Sequence, residues 1–201
     1  AAWRVELDER LVFQQELFEE ALRRAHALTA RVTPSDDLVA PGQAFAVSVE
    51  AWNAGREPLG VDGLELRVPP GWSATRREGG PQELPSGGAL RATFDVRVAD
   101  DARPSQPYWR RLEGSDRLEL DVPADEGRPW SPPAVEALLS WRSGEARARL
   151  RAPALVRSER PAGGERRSEL TVVPALDVSL SPELLVFPRA AGTARETSVR
   201  V

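Results

Sequence analysis

The sequence predicts a mainly β protein: an antiparallel β-sandwich with an N-terminal α-helix and a partial second β-domain at its C-terminal end. Three observations carry that prediction. Near the start, apolar residues recur at three- and four-residue spacing. Beyond Thr33-Pro34 the period drops to two, the mark of strands with one buried and one solvated face. The links between these alternating runs carry Pro-Gly, Gly-Gly and Pro-Pro pairs, which interrupt regular structure, and no helical pattern separates them.

The helix is predicted from about Leu11 to Leu28, within a connector of residues 1–31. Phe18, Ala21, Leu22, Ala25 and Leu28 form its apolar face, and Glu19 with Arg23 and Glu20 with Arg24 form i,i+4 pairs on the wet side. An isolated helix of this length is marginal in water, so Phe13 and Phe18 are expected to dock it onto the β-region after it. The sandwich is predicted over residues 32–173. Its strands are read where Phe45, Val47, Val49 and Ala51 alternate with polar or small residues, and again at Leu64–Val68, Leu90–Val98, Leu118–Val122 and Ala146–Arg151. The segment Arg157–Arg167, with Pro161 and Gly163-Gly164, reads as a long hairpin loop or a mobile one.

An internal repeat sets the last boundary. The segment from Val32 to Pro41 and the segment from Val178 to Pro188 both read as a strand, a Pro-marked bend and a second strand. Residues 174–201 are therefore read as the first strands of a second β-domain, or as late strands of the first.

Composition narrows the chemistry. There is no Cys, which excludes disulfides, thiol catalysis and zinc-thiolate sites. There is no Met, which predicts a processed or excised piece of a longer chain. All 27 Lys-plus-Arg residues are arginine, Ile is absent and Asn53 is the sole asparagine, a pattern that reads as GC-rich coding bias. Arginines are interleaved with acids around a net charge of -4, so no nucleic-acid partner is expected. No apolar run has the length of a membrane span, and no signal-peptide pattern opens the chain.

The single histidine, His26, cannot supply the usual three protein ligands of a catalytic zinc, and no Gly-x-Ser-x-Gly elbow presents a serine to it. It reads as a helix-flank residue. Asp36-Asp37 and Asp100-Asp101 are sequence neighbours in turn contexts, so they read as solvated loop acids rather than as carboxyls facing across a cleft. Gly79-Gly80 and Gly87-Gly88 have no following lysine or helix to make a phosphate loop. Arg147, Arg149 and Arg151 form one basic row, read as a solvated strand face neutralised by Glu on the next strand, with an acidic ligand as the alternative. No catalytic residue, metal site or cofactor is assigned. Six Trp accompany one Tyr, and several lie between strands: Trp72, Tyr108, Trp109 and Trp130. Exposed rings there could stack on sugar faces, and rings beside prolines could equally plug the open ends of a sandwich.

Val39-Ala-Pro41-Gly42 leads into Phe45, the strand ends in Asn53-Ala54-Gly55, and Leu64 to Val68 runs on to Pro70-Gly71-Trp72. This stretch resembles the β-sandwich associated with NPCBM modules in α-galactosidases, which implies an Ig-like sandwich. In that likeness Pro-Gly sets tight turns, and Asn and Gly tolerate positive φ at the strand end. The wider layout looks like the C-terminal region of PIG-L (LmbE-like) family deacetylases: the helix, the sandwich, Pro107-Tyr108-Trp109, then Gly164-Glu165-Arg166-Arg167 with Val172-Val173-Pro174. The resemblance implies a non-catalytic accessory region of an exported, zinc-dependent N-deacetylase of bacterial origin, secreted or periplasmic. Its implied partner is an upstream deacetylase domain of the same parent chain, with polysaccharide or glycoconjugate as a further one. That family's catalytic His-Pro-Asp-Asp motif has only a superficial echo here, Thr33-Pro34-Ser35-Asp36-Asp37, without the leading His, and no catalytic residue carries over. The alternative reading is a carbohydrate-binding module using Trp72, Tyr108, Trp109 and Trp130.

Overall fold

The structure is a computed structural model that describes residues 2–120, 132–159, 163–176, 178–181 and 198–200. Helix α1 (Ala2–Ala25) leads into β1 (Leu28–Pro34), β2 (Leu38–Val39), β3 (Ala44–Asn53), β4 (Leu59–Arg67) and β5 (Ser73–Gly79). Next come β6 (Glu83–Leu84), β7 (Ala89–Arg97), β8 (Trp109–Arg111), β9 (Leu118–Leu120), β10 (Glu136–Ser143) and β11 (Ala146–Pro153). The described chain closes with β12 (Leu155–Glu159), β13 (Glu165–Glu169), β14 (Thr171–Val172), β15 (Ser179–Ser181) and β16 (Ser198–Arg200).

Two four-stranded antiparallel sheets form the sandwich, ordered β1-β3-β7-β5 and β11-β10-β4-β6. Alternation places the buried faces. Phe45, Val47, Val49 and Ala51 of β3 and Leu90, Ala92, Phe94 and Val96 of β7 are buried in one core with Ala137, Leu139 and Trp141 of β10 and Ala148, Leu150 and Ala152 of β11. The mainly β, sandwich prediction holds, as does the helix before it.

Strand β4 shows why half of it escapes a period-two reading. Leu59 and Val61 are buried in its first half, Leu64 and Leu66 in its second. Odd and even positions face one core because the register against β10 shifts between Ser140 and Trp141, a β-bulge that adds a residue to β4 and resets its parity. Alternation alone therefore finds only Leu64 onward. β10 is missed for a different reason. It is the central strand between β11 and β4, and Val135, Ala137, Leu138, Leu139 and Trp141 are all buried there, so the run is apolar without alternation.

Several expectations are corrected at the edges. The helix spans Ala2–Ala25 rather than Leu11–Leu28, because Leu28 is wholly buried as the first residue of β1. The sandwich's first strand thus begins before residue 32. Within the expected loop at Arg157–Arg167, Arg157–Glu159 and Glu165–Arg167 pair as strands, β12 with β13. Of the strand expected at Leu118–Val122, only Leu118–Leu120 lies among the described residues, and it does not join the sandwich sheets. The described part, β9, pairs with β8 in a separate two-stranded ribbon, and Leu118 is exposed. β15 and β16 pair with each other in a two-stranded sheet of their own. A parallel pair, β14 with β2, brings the chain at Thr171–Val172 back beside Leu38–Val39. Leu170 and Val172 join the core there.

The sole asparagine knots one end of the sandwich. Asn53, buried at the end of β3, donates through Nδ2 to the carbonyls of Glu57 (2.8 Å), Leu84 (3.0 Å) and Pro85 (3.2 Å). Its Oδ1 accepts from the Gly55 amide (3.0 Å), and its own backbone pairs with Gly87 and Gly88. One side chain thereby satisfies backbone groups from the β3–β4 link, β6 and the β6–β7 link, groups that would be costly to bury unpaired. The motif's logic differs from the expected one. The described residues with positive φ include neither Asn53 nor Gly55. Gly55 is required because a Cβ there would lie 2.4 Å from the His26 carbonyl oxygen. The Pro-Gly turns behave as expected, with Gly42 at φ 75 and Gly71 at φ 83.

Candidate functional site

The four aromatic positions do not converge. Trp72 follows the Pro70-Gly71 turn and is half-buried against the core, its ring edge-on to Phe45 with centroids 6.2 Å apart. That geometry is the packing role of a ring at a sandwich end. Tyr108 and Trp109 stand together at the start of the β8–β9 ribbon, Tyr108 half-buried and Trp109 43% exposed. Trp109 faces Leu120 in register, and Arg111 faces Leu118, so indole and leucines share one side of the ribbon. The other side carries the Arg110–Glu119 pair. An open recess of about 540 Å³ adjoins it, lined by residues 111–116 of the ribbon turn, where Arg111 meets Asp116 at 3.2 Å. Trp130 lies outside the described residues.

A second region was only half-visible in the sequence. Arg147, Arg149 and Arg151 alternate with buried Ala148, Leu150 and Ala152 along β11. Arg149 and Arg151 find their counter-charges on the helix, not on the neighbouring strand as expected. Glu19 meets Arg149 at 3.3 Å and Glu16 meets Arg151 at 3.4 Å. Glu19 also accepts from Gln15 Nε2 at 3.0 Å, and its side chain is only 15% exposed. The expected Glu19–Arg23 pair is absent because Arg23 turns to Glu20 (2.6 Å) and to the Leu28 carbonyl (2.8 Å). The Glu20–Arg24 pair forms as expected, at 2.6 Å. Hydrogen bonds from Arg23 and then Arg24 hold the Glu20 carboxyl down at about 2, well below its ordinary 4.5.

Helix docking also departs from expectation. Leu22 packs against the core, whereas Phe13 is 57% and Phe18 70% exposed. The β11 side of α1 is therefore met mainly by its carboxylates. At the helix end, His26 places its ring edge-on to Trp141 with centroids 5.5 Å apart.

Beside this contact, α1 and the sheet border an open recess of about 300 Å³ lined by Gln15, Glu19, Asp62, Ser140, Trp141, Arg147, Ala148 and Arg149. Asp62 is the residue that the β4 bulge inserts, and it accepts from Arg142 Nε at 2.9 Å. Arg142 also reaches Glu83 at 2.6 Å. The Asp62 hydrogen bond and the Glu83 charge push the Arg142 guanidinium's pKa up. Arg147 sits opposite Arg142 in register and makes no ion pair among the described residues. Trp141 Nε1 is buried with no hydrogen-bond partner among them. The arginine row was legible as alternation. The recess was not, because its other wall comes from a helix more than a hundred residues away.

The turn-borne acids have structural duties. Asp36 accepts from the Leu38 amide (3.3 Å) and from Gln43 Nε2 (2.9 Å), fixing the bend between β1 and β3, while Asp100 meets Arg97 at 3.2 Å. Among the described residues, no group of three or more His, Asp or Glu has the geometry to hold a metal ion.

Comparison with known proteins bears on the framework. Residues 39–114 match the family model described as the NPCBM-associated, NEW3 domain of alpha-galactosidase. The matched segment runs from β2 to the β8–β9 turn and contains Pro41-Gly42, Asn53-Ala54-Gly55 and Pro70-Gly71-Trp72. No curated protein matches the chain. Among solved structures it is similar to the secreted serine protease VesC from Vibrio cholerae, at 13% identity and a TM-score of 0.38, covering 73% of this chain. The chain spans 26% of that structure's length. The NPCBM-associated resemblance of this sandwich is thus matched across residues 39–114.

Proposed function

We propose that the chain is a carbohydrate-associated accessory β-sandwich without catalytic residues of its own. The observation that carries this reading is where the family likeness falls. The matched motif residues are framework: Asn53 knots three segments, Gly55 admits the His26 carbonyl, and the Pro-Gly turns join strands. A segment recognisable by its framework is suited to positioning a neighbour. The finer reading, supported by the wider layout of helix, sandwich and Val172-Val173-Pro174, is that the chain serves a larger exported, zinc-dependent PIG-L-type N-deacetylase by orienting its catalytic domain. The parent reading frame tests it directly. A His-Pro-Asp-Asp domain encoded upstream of Ala1 is the expected result, and a parent carrying no such domain removes the deacetylase reading. Zinc-dependent acetate release by the purified chain alone would overturn the accessory role.

A second reading is favoured by the ribbon. Trp109 is exposed beside Arg111 and Asp116, an aromatic face next to paired hydrogen-bonding groups, which suits a sugar ring. Affinity electrophoresis in polysaccharide gels tests it. Retardation that disappears in Trp109→Ala supports binding there, and unretarded migration in every gel removes it.

A further inference from the structure

We infer that the recess between α1 and β11 binds a sugar residue, at a site separate from the aromatic ribbon; the inference rests on the carbohydrate-binding reading. The recess of about 300 Å³ is at the lower end of small-ligand sites. Its polar lining carries both signs. Gln15, Arg147 and Arg149 offer N–H donors, while Glu19, Asp62 and the Ser140 hydroxyl offer acceptors.

That balance selects the ligand chemistry. A simple anion would meet two guanidiniums but also the carboxylates of Glu19 and Asp62. A cation would meet the reverse. A polyhydroxylated ring donates and accepts at every hydroxyl, so it can use both sets at once. Charged hydrogen-bond partners are roughly twice as strong as neutral ones, which helps such a ligand compete with water.

The groups are not equally committed. Glu19 is engaged by Gln15 and Arg149, and Asp62 by Arg142, so these side chains are already held in place. Preorganisation of this kind lowers the ordering cost of binding. Arg147 is different. It faces Arg142 across the strand pair, a like-charge contact relieved on the Arg142 side by Asp62 and Glu83. Its own guanidinium has no acid partner among the described residues, so it is the donor left over for a ligand oxygen. Trp141, on the wall, carries the unpartnered buried indole N–H. Because its ring abuts His26 at the helix end, the site's wall and the helix anchor are one contact.

The test is titration of the full chain with cellopentaose, chitopentaose and a galactan oligosaccharide by calorimetry, with sodium sulfate as an anion control. The variants are Arg147→Gln, which changes an exposed strand position, and Trp109→Ala on the ribbon. The expected result is saturable binding of at least one oligosaccharide that survives at least in part in Trp109→Ala and is weakened tenfold or more by Arg147→Gln. Binding lost in Trp109→Ala but intact in Arg147→Gln overturns the recess and leaves the carbohydrate-binding reading standing. Binding of sulfate alone makes the recess an anion site and overturns the sugar assignment. No binding by any of the oligosaccharides overturns both the recess and the carbohydrate-binding reading. Circular dichroism of each variant, matching the parent chain, ties any loss to the site rather than to folding.

Discussion

The sandwich and the helix solve the same problem in opposite ways. In the sandwich, apolar side chains point inward and the polar exception, Asn53, is fully used by backbone partners. In α1, Leu7, Leu11, Phe13, Leu17 and Phe18 are exposed, and the contact with β11 runs through Glu16 and Glu19. Burial is non-directional and is not weakened by charge screening, whereas exposed ion pairs are screened and contribute little each. The two regions are therefore expected to respond to different perturbations: the sandwich to lost volume or lost hydrogen bonds, the helix to pH and ionic strength.

The sharpest way to probe that contrast is inside the core. Leu139 lies at the centre of its sheet, in register with Leu64 and Leu150. Leu139→Ala is expected to cost about 3 kcal/mol in urea unfolding, from lost transfer energy plus the cavity left behind. Asn53→Ala comes next, at about 2 kcal/mol by the same measurement, because it strands the carbonyls of Glu57, Leu84 and Pro85. Equal loss from Asn53→Ala and from a surface substitution would show that the knot contributes nothing.

The helix gives a smaller, pH-dependent effect. The Glu20 carboxyl is held at about 2 against an ordinary 4.5, so its stabilising contribution is present above pH 4.5 and is lost as the pH falls toward 2. Its side chain is 42% exposed, so screening by salt reduces the effect. Helical ellipticity is expected to decline across that window before the sandwich unfolds, and Glu20→Gln makes the decline smaller. Smallest of all is Phe18→Ala, expected to change stability by no more than about 0.5 kcal/mol, since the ring is 70% exposed. A loss comparable to Leu139→Ala would mean that Phe18 is buried after all.

The same contrast explains what the sequence could convey. Val47, Phe94 and Leu150 announce themselves because alternation is a local property of one strand. β10 does not, since burial on both faces erases the pattern, and the first half of β4 is hidden by the bulge at Asp62. The apolar helical residues were legible, but not the surface they meet. Phe13 and Phe18 carry no signal that distinguishes facing a core from facing solvent. The recess at Arg147 needed a strand, a bulge and a helix brought together, and no spacing in the chain encodes that. The aromatics show the same limit. Trp72 and Trp109 both come after a proline-containing link, yet one packs on Phe45 and the other stands exposed on the ribbon.

Taken together, the accessory role and the carbohydrate-binding reading propose a chain that engages carbohydrate without transforming it. One saturation-transfer NMR measurement tests both halves, with the purified chain, zinc, cellopentaose, chitopentaose and a galactan oligosaccharide in the same tube. The account predicts transfer from protein to sugar-ring protons and no growth of a free-acetate signal. Ring protons that receive no saturation, or acetate accumulating in a zinc-dependent way, would contradict it.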